Sequence, residues 1–181
     1  MKTRFIMCSI LFLVVFSGCK NDKPLETLPV VTPPVVETFN VTLDVLVKKD
    51  DNFSLYYTTD GSIDFTKIEP IWIDVKGSEL NQKITYNLPE NIIPTQLRLD
   101  FGLNKDQEDI ILNSVTMEYK GKSRIIAIPE LVDFFRADES KCTFDFKTGI
   151  IVSKIVKGEK SHPSLYPHEA NLKPEIEKLI Q

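Results

Sequence analysis

Apolar residues recur at every second position through most of this chain, in short runs broken by turn residues. Phe39, Val41, Leu43, Val45 and Val47 alternate with Asn40, Thr42, Asp44 and Leu46; Phe53, Leu55 and Tyr57 alternate with Ser54, Tyr56 and Thr58. Ile71, Ile73 and Val75 do the same, as do Leu97, Leu99 and Phe101 within the stretch Thr95–Asn104. A period of two is the mark of a strand with one buried face. Further runs cover 80–88, 109–119, 123–128, 142–146 and 150–156, and Pro129–Phe135 suits one helical turn. In 109–119 the apolar residues switch parity, which predicts a bulge or burial on both faces at its start. The pattern predicts about eight strands spaced by turns, with no helix long enough for a βαβ crossover. That spacing belongs to an all-β sandwich or barrel, and Thr95–Asn104 reads as its central strand.

The first eighteen residues fall outside this pattern. Lys2 and Arg4 precede an apolar run, Phe5–Phe16, closed by Ser17-Gly18-Cys19. The run is short for a bilayer span and has the shape of a secretory signal. Phe16-Ser17-Gly18-Cys19 resembles the lipobox of bacterial lipoproteins, with Phe16 where that family has an aliphatic residue. The resemblance implies cleavage before Cys19, acylation of Cys19, and an exported, membrane-anchored lipoprotein facing the periplasm or the cell surface. A plain secretory signal, with Cys19 incidental, is the alternative. Residues 19–38, rich in proline, then read as a tether, because Pro29, Pro33 and Pro34 remove ladder donors. The expected organisation is a signal peptide at 1–18, an anchored tether at 19–38, a sandwich at 39–158, and a tail at 159–181. The tail would carry a short helix with Leu172, Ile176, Leu179 and Ile180 on one face, with either Asn171 as its cap or Pro174 marking its first turn.

The chain of 181 residues carries a formal charge of -4. That balance argues against nucleic acid as a partner, which needs clustered cations, and against a basic membrane-binding patch. Membrane attachment would come from the lipid. Cys8 would leave with the signal and Cys19 would be acylated. Cys142 is then left without a partner, on the same parity as Phe144 and Phe146, as a small buried residue.

Catalytic motifs are missing. There is no Gly-x-Ser-x-Gly, no His-Glu-x-x-His and no phosphate-cradling glycine loop. His162 and His168 with Cys142 and Glu169 lack the spacing of a metal site, so neither metal nor cofactor is expected. Asp60–Asp64 and Asn104–Asp109 supply oxygen atoms but read as solvated turns rather than a calcium loop. Asp74 and Asp100 would form a glycosidase pair only if their strands were neighbours. The set with most chemical content is Tyr56, Trp72, Asp74, Arg98 and Asp100, each opposite its strand's apolar residues. On one sheet face they would offer rings for sugar CH groups and polar atoms for hydroxyls. The competing expectation is structural: Trp72 and Tyr56 covered by a loop or the tail, and Arg98 paired with a cross-strand acid.

The runs Val75-Lys76-Gly77-Ser78, Gln82-Lys83-Ile84 and Leu97-Arg98-Leu99-Asp100-Phe101-Gly102 resemble β-sandwich domains akin to carbohydrate-binding modules. The resemblance covers about 39–156 and implies a jelly-roll-like sandwich with a glycan ligand. It supplies no catalytic residue. The expectation is therefore a non-catalytic envelope lipoprotein that binds glycan or an envelope protein; the alternative is a structural or assembly subunit of an envelope complex.

Overall fold

A computed structural model describes residues 37–181. The expected signal sequence, Cys19 and the expected tether up to residue 36 lie outside the described residues. The rest is a β-sandwich of two antiparallel sheets with a short C-terminal helix. The strands are β1 (Asn40–Leu46), β2 (Asp51–Thr58), β3 (Ile71–Val75), β4 (Gln82–Asn87), β5 (Gln96–Phe101), β6 (Ile110–Tyr119) and β7 (Lys122–Ala127). After the one-turn helix α1 (Leu131–Phe134) come β8 (Phe135–Ala137), β9 (Cys142–Asp145), β10 (Ile150–Ser153), β11 (Ile155–Val156), β12 (Glu159–Lys160), β13 (Ser164–Pro167) and helix α2 (Glu169–Ile180). Sheet I has the order β4-β1-β6-β10-β9, with β7 also on β6; sheet II has the order β3-β2-β5-β13-β8. A two-stranded hairpin, β11-β12, stands apart from both sheets.

The alternation does what its period requires. Phe39, Val41, Leu43, Val45 and Val47 from sheet I meet Phe53, Leu55, Leu97, Leu99 and Phe101 from sheet II, all at most 1% exposed. Within sheet II the inward residues are in register: Phe53 faces Phe101 and Leu55 faces Leu99. The parity switch of β6 is a bulge. Asp44 faces Ser114 but Val45 faces Leu112, so Asn113 is the extra residue, and its inserted position restores Leu112 to the core. Central position makes β5 the strand on which sheet II is built. Leu99→Ala should therefore cost about 2–5 kcal/mol, the transfer and cavity cost of a buried leucine. Urea denaturation checks this, and a loss under about 0.5 kcal/mol, the range of surface changes, would contradict the placement of that face.

The segment expected as a tail is part of the sandwich. β13 lies between β5 and β8, with Leu165 paired to Leu99 on one side and Ala137 on the other. α2 starts at Glu169, one residue after an extended His168, and buries Leu172, Ile176 and Leu179. Asn171 is not its cap; its side chain donates to the Asp133 carbonyl at 2.6 Å. Pro174 lies inside the helix rather than in its first turn. Burial of one apolar face against the sheets outweighs the hydrogen bond that proline removes. Arg124 on β7 ties α2 down through Glu175, at 2.8 Å, while also pairing with Glu130 at 2.5 Å.

Candidate binding site on the outer face of sheet II

Strand register puts Tyr56, Trp72, Asp74, Arg98 and Asp100 on the outer face of sheet II, and then divides them. Trp72 faces Ser54, which faces Asp100, which faces Ser164, in one row across four strands. In the next row Tyr56 faces Arg98, and Tyr166 faces Arg136. Arg98 is saturated. Its Nε and Nη2 donate to the two carboxylate oxygens of Asp100 at 2.9 and 2.8 Å. Its guanidinium lies 3.7 Å from the centroid of the Tyr56 ring, and 5.2 and 5.4 Å from those of Tyr166 and Phe65. Burial works against the charge on Arg98, but the hydrogen bonds and charge of Asp100 outweigh it and hold its pKa above the ordinary arginine value. Phe65, from the loop after β2, is buried edge-on against Tyr166 at 6.1 Å and roofs this cluster. Tyr56, Arg98 and Asp100 therefore stabilise the sheet face and offer little to a ligand. The acid that Arg98 meets is two residues away on its own strand, not across strands.

Trp72 and Asp74 remain open on the edge strand β3. Trp72 is 49% exposed, and Asp74 sits two residues along the same face, about 7 Å away by strand geometry. Asn52, opposite Asp74, donates its side-chain amide to Asp74 Oδ1. Beside this pair is a cleft of about 400 Å³ lined by Asp50, Asn52, Asp74, Lys76, Leu103 and Asn104. Several of its polar atoms are already engaged. Asp50 accepts from Lys76 at 2.6 Å and from the Gly77 N–H at 2.8 Å; these bonds lower the Asp50 pKa, and the same Asp50 hydrogen bond raises that of Lys76. Asp74 Oδ2 and Asn52 Oδ1 make no side-chain hydrogen bond within the described residues, and Leu103 presents an exposed apolar wall. Trp72 does not line the cleft, but its indole stands two residues from Asp74 on the same strand face; together with the cleft's carboxylate oxygen, amide oxygen and apolar wall it can hold a ligand with hydroxyls on one side and CH groups on the other.

Sequence reasoning missed Asn52, Leu103 and Asn104. Asn52 is at the start of β2, and Leu103 and Asn104 follow β5; the register of β2 between β3 and β5 brings them to Asp74. Asp74 and Asp100 are on strands separated by β2, so they do not form the close pair considered for glycoside cleavage. The Asp60–Asp64 loop uses its oxygens internally, whereas in Asn104–Asp109 the Glu108 carboxylate pairs outward with Lys48 and Lys49. Asp60 accepts from the Ser62 N–H and hydroxyl and from Lys67, and Asp64 from the Thr66 N–H and hydroxyl. Cys142 is fully buried, donates to the Ser164 carbonyl at 3.5 Å, and has its thiol pKa raised by burial. Among the described residues no group of three or more His, Cys, Asp or Glu side chains is placed to hold a metal ion. No described helix is long and apolar enough to cross a membrane.

No protein-family model matches the chain, and neither a curated protein nor a solved structure matches it.

Proposed function

We propose that this chain is an envelope lipoprotein, anchored through Cys19, whose sandwich is a non-catalytic binding module for a neutral glycan. The observation that carries the reading is Trp72: a lone tryptophan held half-exposed on a strand, beside a carboxylate and an amide oxygen with capacity to accept hydrogen bonds from hydroxyls. Such a side chain contributes little to the core it faces away from and suits a sugar ring. The cleft also has a consistent location. β1 runs from Asn40 to Leu46, and the following turn leads to Asp50 and Asn52. The cleft therefore lies at the end of the sandwich opposite Glu37, where the described chain begins.

A second reading is favoured by the position of β3 at the edge of sheet II. An edge strand with an exposed tryptophan can also pair with a neighbouring protein, which would make the chain an assembly subunit.

One experiment separates the two. The free protein should show the emission of a water-exposed indole, and neutral oligosaccharides that bind should shift it to the blue. Trp72→Ala should remove that binding while changing stability by no more than about 0.5 kcal/mol, as expected of a surface position. Cys19→Ala should release the protein from membranes. A glycan array without any hit, together with an envelope protein crosslinked through position 72, would replace the glycan reading with the assembly reading.

A further inference from the structure

The outer face of sheet II has a second depression at its opposite edge. It encloses about 550 Å³ and is lined by Arg136, Asp138, Glu139, Ser140, Tyr166 and Ile63. Strand alternation in β8 sends Phe135 into the core and Arg136 outward. Pairing of β8 with β13 then puts Arg136 opposite Tyr166, with its guanidinium 5.5 Å from the ring centroid. The described residues contain three arginines. Arg98 is paired with Asp100, and Arg124 with Glu130 and Glu175. Arg136 has no carboxylate within ion-pair distance and makes no side-chain hydrogen bond among the described residues. It is held beside an aromatic ring at the rim of the larger depression, opposite Ile63, which is 42% exposed.

We propose that this depression binds a ring-sized organic monoanion, a sugar acid with a single carboxylate, through Arg136. The guanidinium presents a planar pair of N–H donors that matches a carboxylate, and its position beside Tyr166 restricts its orientation. Tyr166 and Ile63 supply apolar surface for the ring carbons. The remaining charges select against a doubly charged ligand. Asp138 is held by the Ser140 N–H and hydroxyl and by Lys141, but it still carries its charge on the same wall as Glu139, which has no ion-pair partner among the described residues. One negative charge is matched by Arg136; a phosphate dianion would meet two carboxylates. Glu139 can instead accept a hydrogen bond from a ligand hydroxyl. The inference does not depend on Trp72 or the Asp74 cleft beside it, which lie on the other side of β2, β5 and β13 and involve different residues.

The test uses the full chain, titrated calorimetrically with a glucuronate-containing disaccharide, its glucose counterpart and sodium phosphate. The uronate should bind at least tenfold more tightly than the neutral sugar, and its affinity should fall as salt rises, since the site is open to solvent. Arg136→Gln should remove that tenfold preference with the melting temperature unchanged, because Arg136 is exposed. Trp72→Ala should leave uronate binding as it was. Equal affinity for acid and neutral sugars, an unaltered preference in Arg136→Gln, or tighter binding of phosphate would each overturn the proposal. So would loss of uronate binding in Trp72→Ala, which would assign the ligand to the other cleft.

Discussion

Removing Ser164–Gln181 should leave a chain that does not fold. The segment carries Leu165, Leu172, Ile176 and Leu179, all buried, and each such side chain contributes about 1.5–3 kcal/mol by burial. Their joint loss, roughly 6–12 kcal/mol on that scale, compares with a total domain stability of about 5–15 kcal/mol. Further losses follow from the topology. Without β13 the central strand β5 loses its partner on one side, and β8 loses its only partner in sheet II. Leu131 and Phe134 of α1 lose the helix that packs beside them. Circular dichroism and proteolysis of the truncated chain check this. Cooperative melting within a few degrees of the intact protein would show that the segment is dispensable, as a tail would be.

Gly102→Ala should be the most damaging single methyl group that can be added in the β5–β6 connection. Gly102 has φ +78°, and a Cβ there would sit 2.2 Å from Asp51 Oδ2 and 2.7 Å from its Cγ. Asp51 has little room to move. Its side chain is in a residue only 7% exposed, and Oδ1 accepts the backbone N–H groups of Asn52, Leu103 and Asn104 at 2.8, 2.7 and 2.9 Å. Oδ2 accepts the Gln107 amide at 3.0 Å. Left-handed backbone costs about 1–2 kcal/mol for alanine, and each hydrogen bond to a charged group lost in displacing the carboxylate costs about 1.5–3 kcal/mol. The expected loss is about 3–5 kcal/mol, or roughly 10 °C in Tm for a chain of this size. Gly121 is the internal control. It has φ +77° in the two-residue turn between β6 and β7, and a Cβ there would meet nothing within 4 Å. Gly121→Ala should cost only the backbone share, about 1–2 kcal/mol. If thermal melts give both variants the same loss, the Asp51 cradle is not what requires glycine at 102.

Asp51 also shows where sequence reasoning stops. It lies within a charged run, Lys48–Asn52, that reads as a turn, and nothing local marks one of its acids as buried. The donors that solvate Asp51 come from its neighbour Asn52 and from residues 103, 104 and 107, more than fifty positions away. β8 and β13 were illegible for a related reason. Phe135–Ala137 is too short for a period to show, and Ser164–Pro167 is bounded by prolines that argue against a strand. Each is a strand because another strand edge offered its backbone partners.

The candidate site divides along the same line. Parity alone put Tyr56, Trp72, Asp74, Arg98 and Asp100 opposite their strands' apolar residues, and the register keeps them on one face. Parity could not say which of them a loop would cover. Phe65 comes down on Arg98 and Tyr166, so that cluster became structural while Trp72, at the uncovered edge, stayed open to water. Local alternation determined which side chains of β1, β2 and β5 enter the core, because a strand with one buried face allows only one phase; in β6 it left a bulge or two buried faces open, and the register placed the shift at Asn113. Strand order, the burial of Asp51, the engagement of Arg98 and the exposure of Trp72 and Arg136 depend on contacts between residues far apart in the chain, and only the tertiary structure decided them.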